Sequence, residues 1–213
     1  MDGTPLLEGV EYGAVGGIQV PPGVYGLDIH ATGAESCAGE PAFEADTPDL
    51  AAGGQYLAMA AGELEAENGE PEFGVFFYEE GFALDNDPGD AVVGIIHGAA
   101  AADVNVGLVT DLGDATFTGE NTLVTGLGFG EETARDIPVT EDSVLVGVGP
   151  ATDMQPPYNV AANFTVATPD NARAWVIATG SLEPDADEQP LELKTIITGT
   201  TAWTVATSDA VLP

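Results

Sequence analysis

One pattern of short apolar segments occurs twice in this chain, and this internal repeat limits the possible folds more than any other feature. LLEGVEYG at 6–13 matches LVTGLGFG at 123–130, because both read apolar-apolar-x-Gly-apolar-x-aromatic-Gly. Further along, QYLAMAAGEL at 55–64 matches RAWVIATGSL at 173–182, with Gly62 aligned on Gly180. Matched segments in the same order predict two copies of one structural unit.

A third pair of segments completes the repeat, and all of the segments have the character of β-strands. PEFGVFFY at 71–78 aligns with PLELKTII at 190–197. The segments are apolar or alternate over five to eight residues, and Gly, Pro or Asp bound them. Two further strands are predicted around 24–29 and 144–148, whereas no stretch shows a capped 3.6-residue periodicity.

We therefore predict an all-β fold of two tandem immunoglobulin-like β-sandwich domains. The predicted domains are residues 1–88 and 89–199, and the boundary lies in the polar stretch DNDPGD at 85–90. Residues 200–213 are predicted to form an additional C-terminal strand. The length of 213 residues is sufficient for two domains that each bury a core.

The repeat resembles the domain of unknown function 4397 family. That family shows a strand, a His-centred loop, a Val-Asp-Val-like strand, an aromatic-Gly turn and a Pro-Gly-x-Tyr hairpin. The matching residues here are His97, Asp103, Val104, Val106, Gly126, Phe129 and Gly130 in the second copy, and Gly9, Tyr12, Gly13, Pro22, Gly23 and Tyr25 in the first. The chain departs from the family at Gly98-Ala99-Ala100, where Ser-Pro-Asp is usual. The resemblance implies tandem immunoglobulin-like domains in exported or surface proteins, with no established chemistry.

The first copy is predicted to lack strands at its N-terminal end. Two predicted strands, around 91–97 and 103–109, precede Leu123 in the second copy, whereas the first copy begins a few residues before Leu6. A sandwich that lacks a strand exposes apolar side chains and unpaired backbone groups, which favours pairing with another chain.

The C-terminal segment TTAWTVATSDAV at 200–211 looks like the first strand of a third repeat. Ala202, Trp203, Thr204, Val205 and Ala206 alternate, so that Trp203 and Val205 share one face. Three interpretations stay open. The strand completes the first copy of the next subunit, as in donor-strand complementation; it completes the first copy of its own chain; or it pairs locally.

Charge excludes one class of partner and indicates a setting. The chain has 36 Asp and Glu against 3 Lys and Arg, a formal net charge of -33. Nucleic acid is excluded, because binding it requires clustered cations, and an anionic membrane surface is disfavoured. Self-repulsion at this charge is relieved by salt, so we expect a salt-rich, halophilic habitat; bound cations are the alternative. No apolar run reaches ~18 residues, so no transmembrane helix is predicted.

One cation site is considered, with calcium as the ion. Asp85, Asp87 and Asp90 place carboxylates at alternating positions in a turn, and hard cations prefer such oxygen ligands. The stretch lacks the spaced Glu of an EF-hand, so a solvated acidic linker is the competing interpretation.

No catalytic constellation is found, and we predict that the protein is not an enzyme. His97 lies six residues before Asp103, but no nucleophile elbow accompanies the pair, so a hydrogen bond that pins the loop is favoured. Asn163-Phe164-Thr165 is an N-glycosylation sequon. The aromatic residues at repeat-equivalent or strand positions, Tyr12, Tyr25, Phe129 and Trp175, are predicted to be in the core. The single cysteine, Cys37, excludes an intrachain disulfide.

These features together predict a structural subunit of an extracellular filament, pilus-like, or of a surface layer. Its partner would be a second copy of the chain, joined head to tail by donor-strand complementation. The alternative is a monomeric cell-surface binding or adhesion module for a polysaccharide or a protein. An extracellular or cell-surface location follows from either.

Overall fold

The computed structural model describes residues 5–31, 37, 39–66, 71–79, 90–99, 101–138, 143–152, 155–168, 173–181, 189–198 and 203–213. Within these ranges the chain contains β-strands, a 3-10 turn at Gly119–Asn121 and no α-helix, which confirms the all-β fold class. The strands are β1 (Gly26–Ile29), β2 (Phe43–Asp46), β3 (Leu57–Ala61), β4 (Gly74–Tyr78), β5 (Asp90–His97), β6 (Val104–Leu108), β7 (Thr116–Phe117), β8 (Thr122–Leu127), β9 (Glu132–Pro138), β10 (Ser143–Pro150), β11 (Tyr158–Asn159), β12 (Ala162–Ala167), β13 (Arg173–Thr179), β14 (Glu192–Thr198) and β15 (Thr204–Asp209).

The chain divides into two units, Met1–Phe77 and Tyr78–Pro213. This division lies before the predicted domain boundary at residue 88. Residues 80–89, which include most of the predicted boundary segment, lie outside the described ranges. No helix in the described part of the chain is long and apolar enough to cross a membrane.

The second unit is a sandwich of two sheets. One sheet has the strand order β15-β14-β13-β5-β9 and the other β12-β10-β6-β8, while β7 and β11 form a separate short ribbon. Strand β5 is parallel to β13 and antiparallel to β9. Its sequence AVVGIIH is almost continuously apolar, as expected for an inner strand that is buried on both faces.

The core of the second unit lies between these two sheets. Alternate residues of β5 point into it, and they pack with inward residues of the facing strands. The largest buried side chain of the core cluster is Phe164 on β12, which has no exposed surface. Other members of the cluster are Ala91, Val93, Ile95, Val104, Val106, Val146, Val148, Val166, Val176, Ala178 and Leu193.

The first unit consists of two separate two-stranded ribbons in its described part. Strands β1 and β2 pair antiparallel from Gly26↔Asp46 to Ile29↔Phe43, and β3 pairs with β4. The Thr47 hydroxyl accepts a hydrogen bond from the Tyr25 amide at 2.9 Å and anchors the end of the first ribbon. Among the described residues of this unit, Leu57 and Thr47 are the buried ones.

The two units share one backbone pattern at the turn after β3 and after β13. Gly62 and Gly180 have φ values of 97° and 85°. The Glu63 amide donates to the Pro71 carbonyl at 2.9 Å, and the Ser181 amide donates to the Gln189 carbonyl at 2.8 Å. The internal repeat is thus visible in the backbone itself.

The same bonds correct the sequence alignment of the third segment pair. At these two turns the isolated bridges are Glu63↔Glu72 and Ser181↔Pro190, so Glu72, and not Pro71, is the counterpart of Pro190. The alignment of 71–78 on 190–197 was wrong by one residue, because two prolines were matched where backbone hydrogen bonds set the register.

A second shared pattern lies nearer the start of each unit. Gly9 and Gly126 have φ values of 60° and 64°, and Gly13 and Gly130 have 71° and 76°. The turn bond from the Ala14 amide to the Glu11 carbonyl recurs as Glu131 to Gly128, both at 3.0 Å. Residues 5–10 are therefore the counterpart of β8, and residues 15–21 are the counterpart of β9.

Candidate functional site

The candidate site is defined by a comparison of the two units. The second unit has two inner strands that have no counterpart in the described part of the first unit. In the second unit, β5 lies between β13 and β9, and β6 lies between β10 and β8. Each is an inner strand of its sheet, so each satisfies backbone groups on two neighbours. Removing one would expose two strand edges rather than one.

The neighbours of both inner strands have counterparts in the first unit. Strand β3 corresponds to β13, and residues 15–21 correspond to β9. Within the described residues of the first unit, β3 pairs only with β4, and residues 15–21 belong to no ladder. We call β3 and residues 15–21 the open edges, since no strand takes the place of β5 between them there.

Two side chains at the open edges, Val20 and Ala58, are exposed where their counterparts are buried. Val20 is 37% exposed, whereas its counterpart Ile137 is 2% exposed. Ala58 on β3 is exposed, whereas its counterpart Val176 lies in the core of the second unit. The face of the first unit that corresponds to a sandwich interior is therefore open to solvent.

The exposed large apolar side chains of the described residues fall into two segments, apart from Leu64. The first set lies in the first unit, near the open edges, and comprises Leu6, Leu7, Val10, Tyr12, Val15, Ile18, Val20 and Val24. The second set lies in residues 203–213, here called the tail, and comprises Trp203, Val205, Val211 and Leu212. Scattered apolar residues are normal on a surface, but two concentrated segments point to interaction sites.

The tail forms the edge strand of the five-stranded sheet in its own chain. Strand β15 pairs antiparallel with β14 from Glu192↔Asp209 to Ile197↔Thr204. This is the local pairing of the third interpretation of the tail. Val205 remains 46% exposed and Trp203 39% exposed in this position. The backbone ladder holds β15 there, together with the packing of Trp203 on Trp175 and the bridge between Val211 and Asn163.

Side-chain contacts of the tail are few among the described residues. The Trp203 ring stacks on the buried Trp175 ring with centroids 6.1 Å apart. The Ser208 hydroxyl accepts from the Thr165 amide at 3.2 Å, and the Lys194 ammonium donates to the Thr207 hydroxyl at 3.1 Å. Residue Ala202 of the predicted subunit-joining strand lies outside the described residues.

Asn163, the predicted glycosylation site, is a structural residue. Its side chain has no exposed surface, and Nδ2 donates to the Leu112 carbonyl at 3.0 Å and to the Asp114 carbonyl at 2.9 Å. Its backbone bonds Val211 in the tail. The nitrogen that would carry a glycan is buried in the folded chain, so we do not propose a glycan there.

The loop that Asn163 holds is also fixed from within. Asp114 accepts hydrogen bonds from the Thr110 amide, the Thr110 hydroxyl and the Asp111 amide, at 2.8, 2.9 and 3.0 Å. These bonds stabilise the carboxylate and hold the pKa of Asp114 below its usual value. Sequence patterns did not predict this anchor, because a sequon carries no information on burial.

His97 is buried at the end of β5 and lies in the loop-pinning arrangement. Its Nε2 bonds the Ala102 carbonyl at 3.1 Å, which requires the proton on Nε2. Burial lowers the pKa of His97, and the Ala102 carbonyl and Asp103 oppose that shift only partly. His97 is therefore neutral and positioned to hold a loop.

The proposed calcium ligands fall mainly outside the described residues. Asp85 and Asp87 lie there, and Asp90 begins β5. Within the described ranges no group of three or more His, Cys, Asp or Glu is arranged to hold a metal ion. The calcium site stays a prediction.

The aromatic residues predicted to be in the core have different outcomes. Trp175 is fully buried, and its Nε1 donates to Glu132 at 3.0 Å. Tyr12 is 58% exposed, so its predicted core position was wrong. Its counterpart Phe129 lies beside His97 at the end of β5, with ring centroids 6.4 Å apart. The described first unit has no strand in that place for Tyr12 to pack against.

The chain matches no protein-family model, no curated protein and no solved structure. The resemblance to the domain of unknown function 4397 family stays a prediction.

Proposed function

We propose that the protein is a structural subunit of an extracellular filament or surface layer, in which the tail of one copy completes the first unit of the next. The observation that carries this proposal is the pair of exposed apolar segments on one chain, near the open edges and in the tail. A donor and an acceptor in different segments of one chain make a head-to-tail contact, which builds a filament when successive copies do not close into a ring.

The acceptor side is supported by backbone as well as side chains. The open edges carry amides and carbonyls that no ladder uses within the described ranges and that a strand can bond, as in other strand-addition complexes. Ile18 and Val15 are 50% and 40% exposed there. Covering such a side chain completely contributes about 0.8–1.5 kcal/mol when half of it is already covered.

The donor role of the tail is supported by the contacts that β15 would exchange on moving to the first unit. On moving from β14 to the open edges, β15 exchanges one backbone ladder for two. Trp203 would lose its stacking on Trp175, an interaction of about 0.5–1.5 kcal/mol beyond area burial, but would gain a closed interior. Val205 would change from half-exposed to buried.

Charge opposes this assembly in dilute buffer and permits it in salt. Two copies with a formal charge of -33 each repel one another. The screening length falls from about 10 Å at 0.1 M salt to about 3 Å at 1 M. The strands to be joined are nearly uncharged, since Asp209 is the only ionisable residue of β15.

A second candidate function is favoured by one observation. Strand β15 is already paired with β14 in its own chain, so the protein can exist as a monomer with its tail in place. In that case the open edges would bind a different extended partner, and the protein would act as a monomeric surface adhesion module.

The test compares wild-type protein with Val205→Asp in about 1 M salt, by light scattering and negative-stain microscopy. The proposal expects extended assemblies for wild type and monomers for Val205→Asp, because a carboxylate would have to be buried without a partner. Thr125→Asp is the matched control, since Thr125 is an exposed residue of the edge strand β8. Wild-type protein that stays monomeric at all concentrations would refute the filament function.

A further inference from the structure

We infer that the tail strand enters the first unit as an inner strand, parallel to β3 and antiparallel to residues 15–21, and does not add to an outer edge. This inference rests on the proposed function and specifies its geometry. It follows from the second unit, in which β5 occupies the corresponding place with that orientation on both sides.

The register of β5 fixes the partners of an incoming strand. Ile95 is paired with Val176 of β13 on one side and with Thr133 of β9 on the other. Their counterparts at the open edges are Ala58 and Gly16, which follow from the matched glycines of the two units. An incoming residue at the place of Ile95 therefore lies between Ala58 and Gly16.

The residues that line the place of β5 differ between the two units, and these differences determine which strand fits in each unit. In the second unit, the β5 strand needs glycine at position 94. A Cβ there would lie 2.7 Å from the Trp175 ring and 3.0 Å from Glu132 Oε1. The counterparts of Trp175 and Glu132 in the first unit are Leu57 and Val15, which are smaller or apolar. The first unit can accept a side chain where the second cannot.

The tail strand has the matching property. It contains no glycine from Trp203 to Leu212, and its smallest central residue is Ala206. If Ala206 takes the place of Gly94, it lies against Leu57, and Trp203, Val205 and Thr207 point to the open interior. Thr207 then takes the place of Ile95, between Ala58 and Gly16. The bulk of Trp203 is admissible because no β6 counterpart fills that interior in the described first unit.

Disulfide trapping in a Cys37→Ser background tests this geometry. Neighbouring strands lie about 4.7–4.9 Å apart, within the range of Cα separations for a disulfide. One double variant combines Thr207→Cys with Ala58→Cys, and another combines Thr207→Cys with Gly16→Cys. Thr207, Ala58 and Gly16 are exposed. A Cβ at Gly16 would lie 3.1 Å from Leu7 Cδ2, and the exposed Leu7 side chain can move aside, so these changes leave the separate chain intact. Oxidation in high salt, followed by non-reducing gels and peptide mass spectrometry, identifies the bonds.

An inner strand gives intermolecular disulfides, and hence covalent ladders, in both double variants. Assemblies that cross-link only to Ala58, only to Gly16, or to neither would overturn the inner-strand geometry and leave the proposed function standing. Absence of assemblies in the reduced proteins and in wild type would overturn both. Monomers whose amides at residues 15–21 are already protected from hydrogen exchange would show that the place is filled within the chain, and would also overturn the inference.

A locked variant supplies the complementary control. Thr207 faces Lys194 in the β14–β15 ladder, so Thr207→Cys with Lys194→Cys forms an intrachain bond that holds the tail at β14. We expect this variant to stay monomeric when oxidised and to assemble when reduced. Assembly that persists in the oxidised form would show that the tail is not the donor.

Discussion

Gly62 and Gly180 occupy the same place in two copies of one turn, with φ values of 97° and 85°. At either position a Cβ would collide with a backbone carbonyl, that of Glu72 or that of Pro190. The pair shows that the two units share their backbone geometry although their burial differs. The proposal assigns the acceptor role to the first unit on the basis of that difference in burial.

Gly180→Ala should destabilise the second unit by more than the conformational penalty alone. The left-handed conformation costs a non-glycine residue about 1–2 kcal/mol, and displacement of the Pro190 carbonyl adds to it. Gly126→Ala is the control, since Gly126 has φ 64° and open space around a Cβ. Both tryptophans, Trp175 and Trp203, lie in the second unit, so urea unfolding followed by tryptophan fluorescence measures the effect. Equal losses of unfolding free energy in both variants would contradict a collision between a Cβ at residue 180 and the Pro190 carbonyl.

The turn at Gly180 also shows how far sequence reasoning reaches. Glycines at matched positions and alternating strands were sufficient to predict the all-β class and the repeat, because these are local signals. The one-residue shift between Pro71 and Pro190 was not predictable, because register depends on hydrogen bonds between segments distant in sequence. The pairing of β15 with β14 is likewise invisible in a strand of Thr, Val, Ala and Ser that fits more than one edge.

The candidate site was only partly predictable for the same reason. The repeat predicted which segments of the two units correspond, but exposure of Val20 against burial of Ile137 required the structure. The sequon at Asn163 and the aromatic Tyr12 gave the wrong indication, since neither motif carries information on burial.

Stability of the second unit should fall as the pH drops below about 6.5, the usual pKa of an unfolded histidine. Burial lowers the pKa of folded His97, so below that pH the unfolded chain binds a proton that the folded chain does not. Between that pH and the lower pKa of folded His97, the free energy of unfolding decreases by up to about 1.4 kcal/mol per pH unit.

His97→Gln is the variant that isolates this contribution. The Gln amide can still donate to the Ala102 carbonyl, but it does not titrate. Urea unfolding in high salt between about pH 7.5 and about pH 5.5 should give a smaller pH slope for His97→Gln than for wild type. Identical slopes would show that His97 is not the titrating group.

Asn163→Asp should destabilise the second unit by roughly 2–5 kcal/mol, because a buried carboxylate would face the Leu112 and Asp114 carbonyls in place of a donor. Asn159→Asp serves as the comparison, since Asn159 is exposed. Thermal unfolding of both variants measures the difference. A melting temperature for Asn163→Asp close to that of Asn159→Asp would contradict the anchoring role.

Assembly should require salt, because the formal charge of -33 per chain opposes contact between copies. Light scattering should rise between about 0.1 M and 1 M NaCl, and KCl should act equally. If about 1 mM calcium supports assembly without added monovalent salt, a specific cation site is responsible for the salt requirement, as the acidic stretch around Asp85 and Asp87 would predict. Assembly that is indifferent to salt would contradict the electrostatic account.

The most direct test of the central claim is a mixing experiment by analytical ultracentrifugation in about 1 M salt. Val205→Asp blocks the tail and leaves the open edges intact, whereas Ile18→Asp blocks an open edge and leaves the tail intact; both residues are exposed in the separate chain. Each variant alone should sediment as a monomer, and an equimolar mixture should form dimers and nothing larger, since only one productive contact is possible. A mixture that stays monomeric, or either variant alone forming polymers, would contradict completion of the first unit by the tail of a second copy.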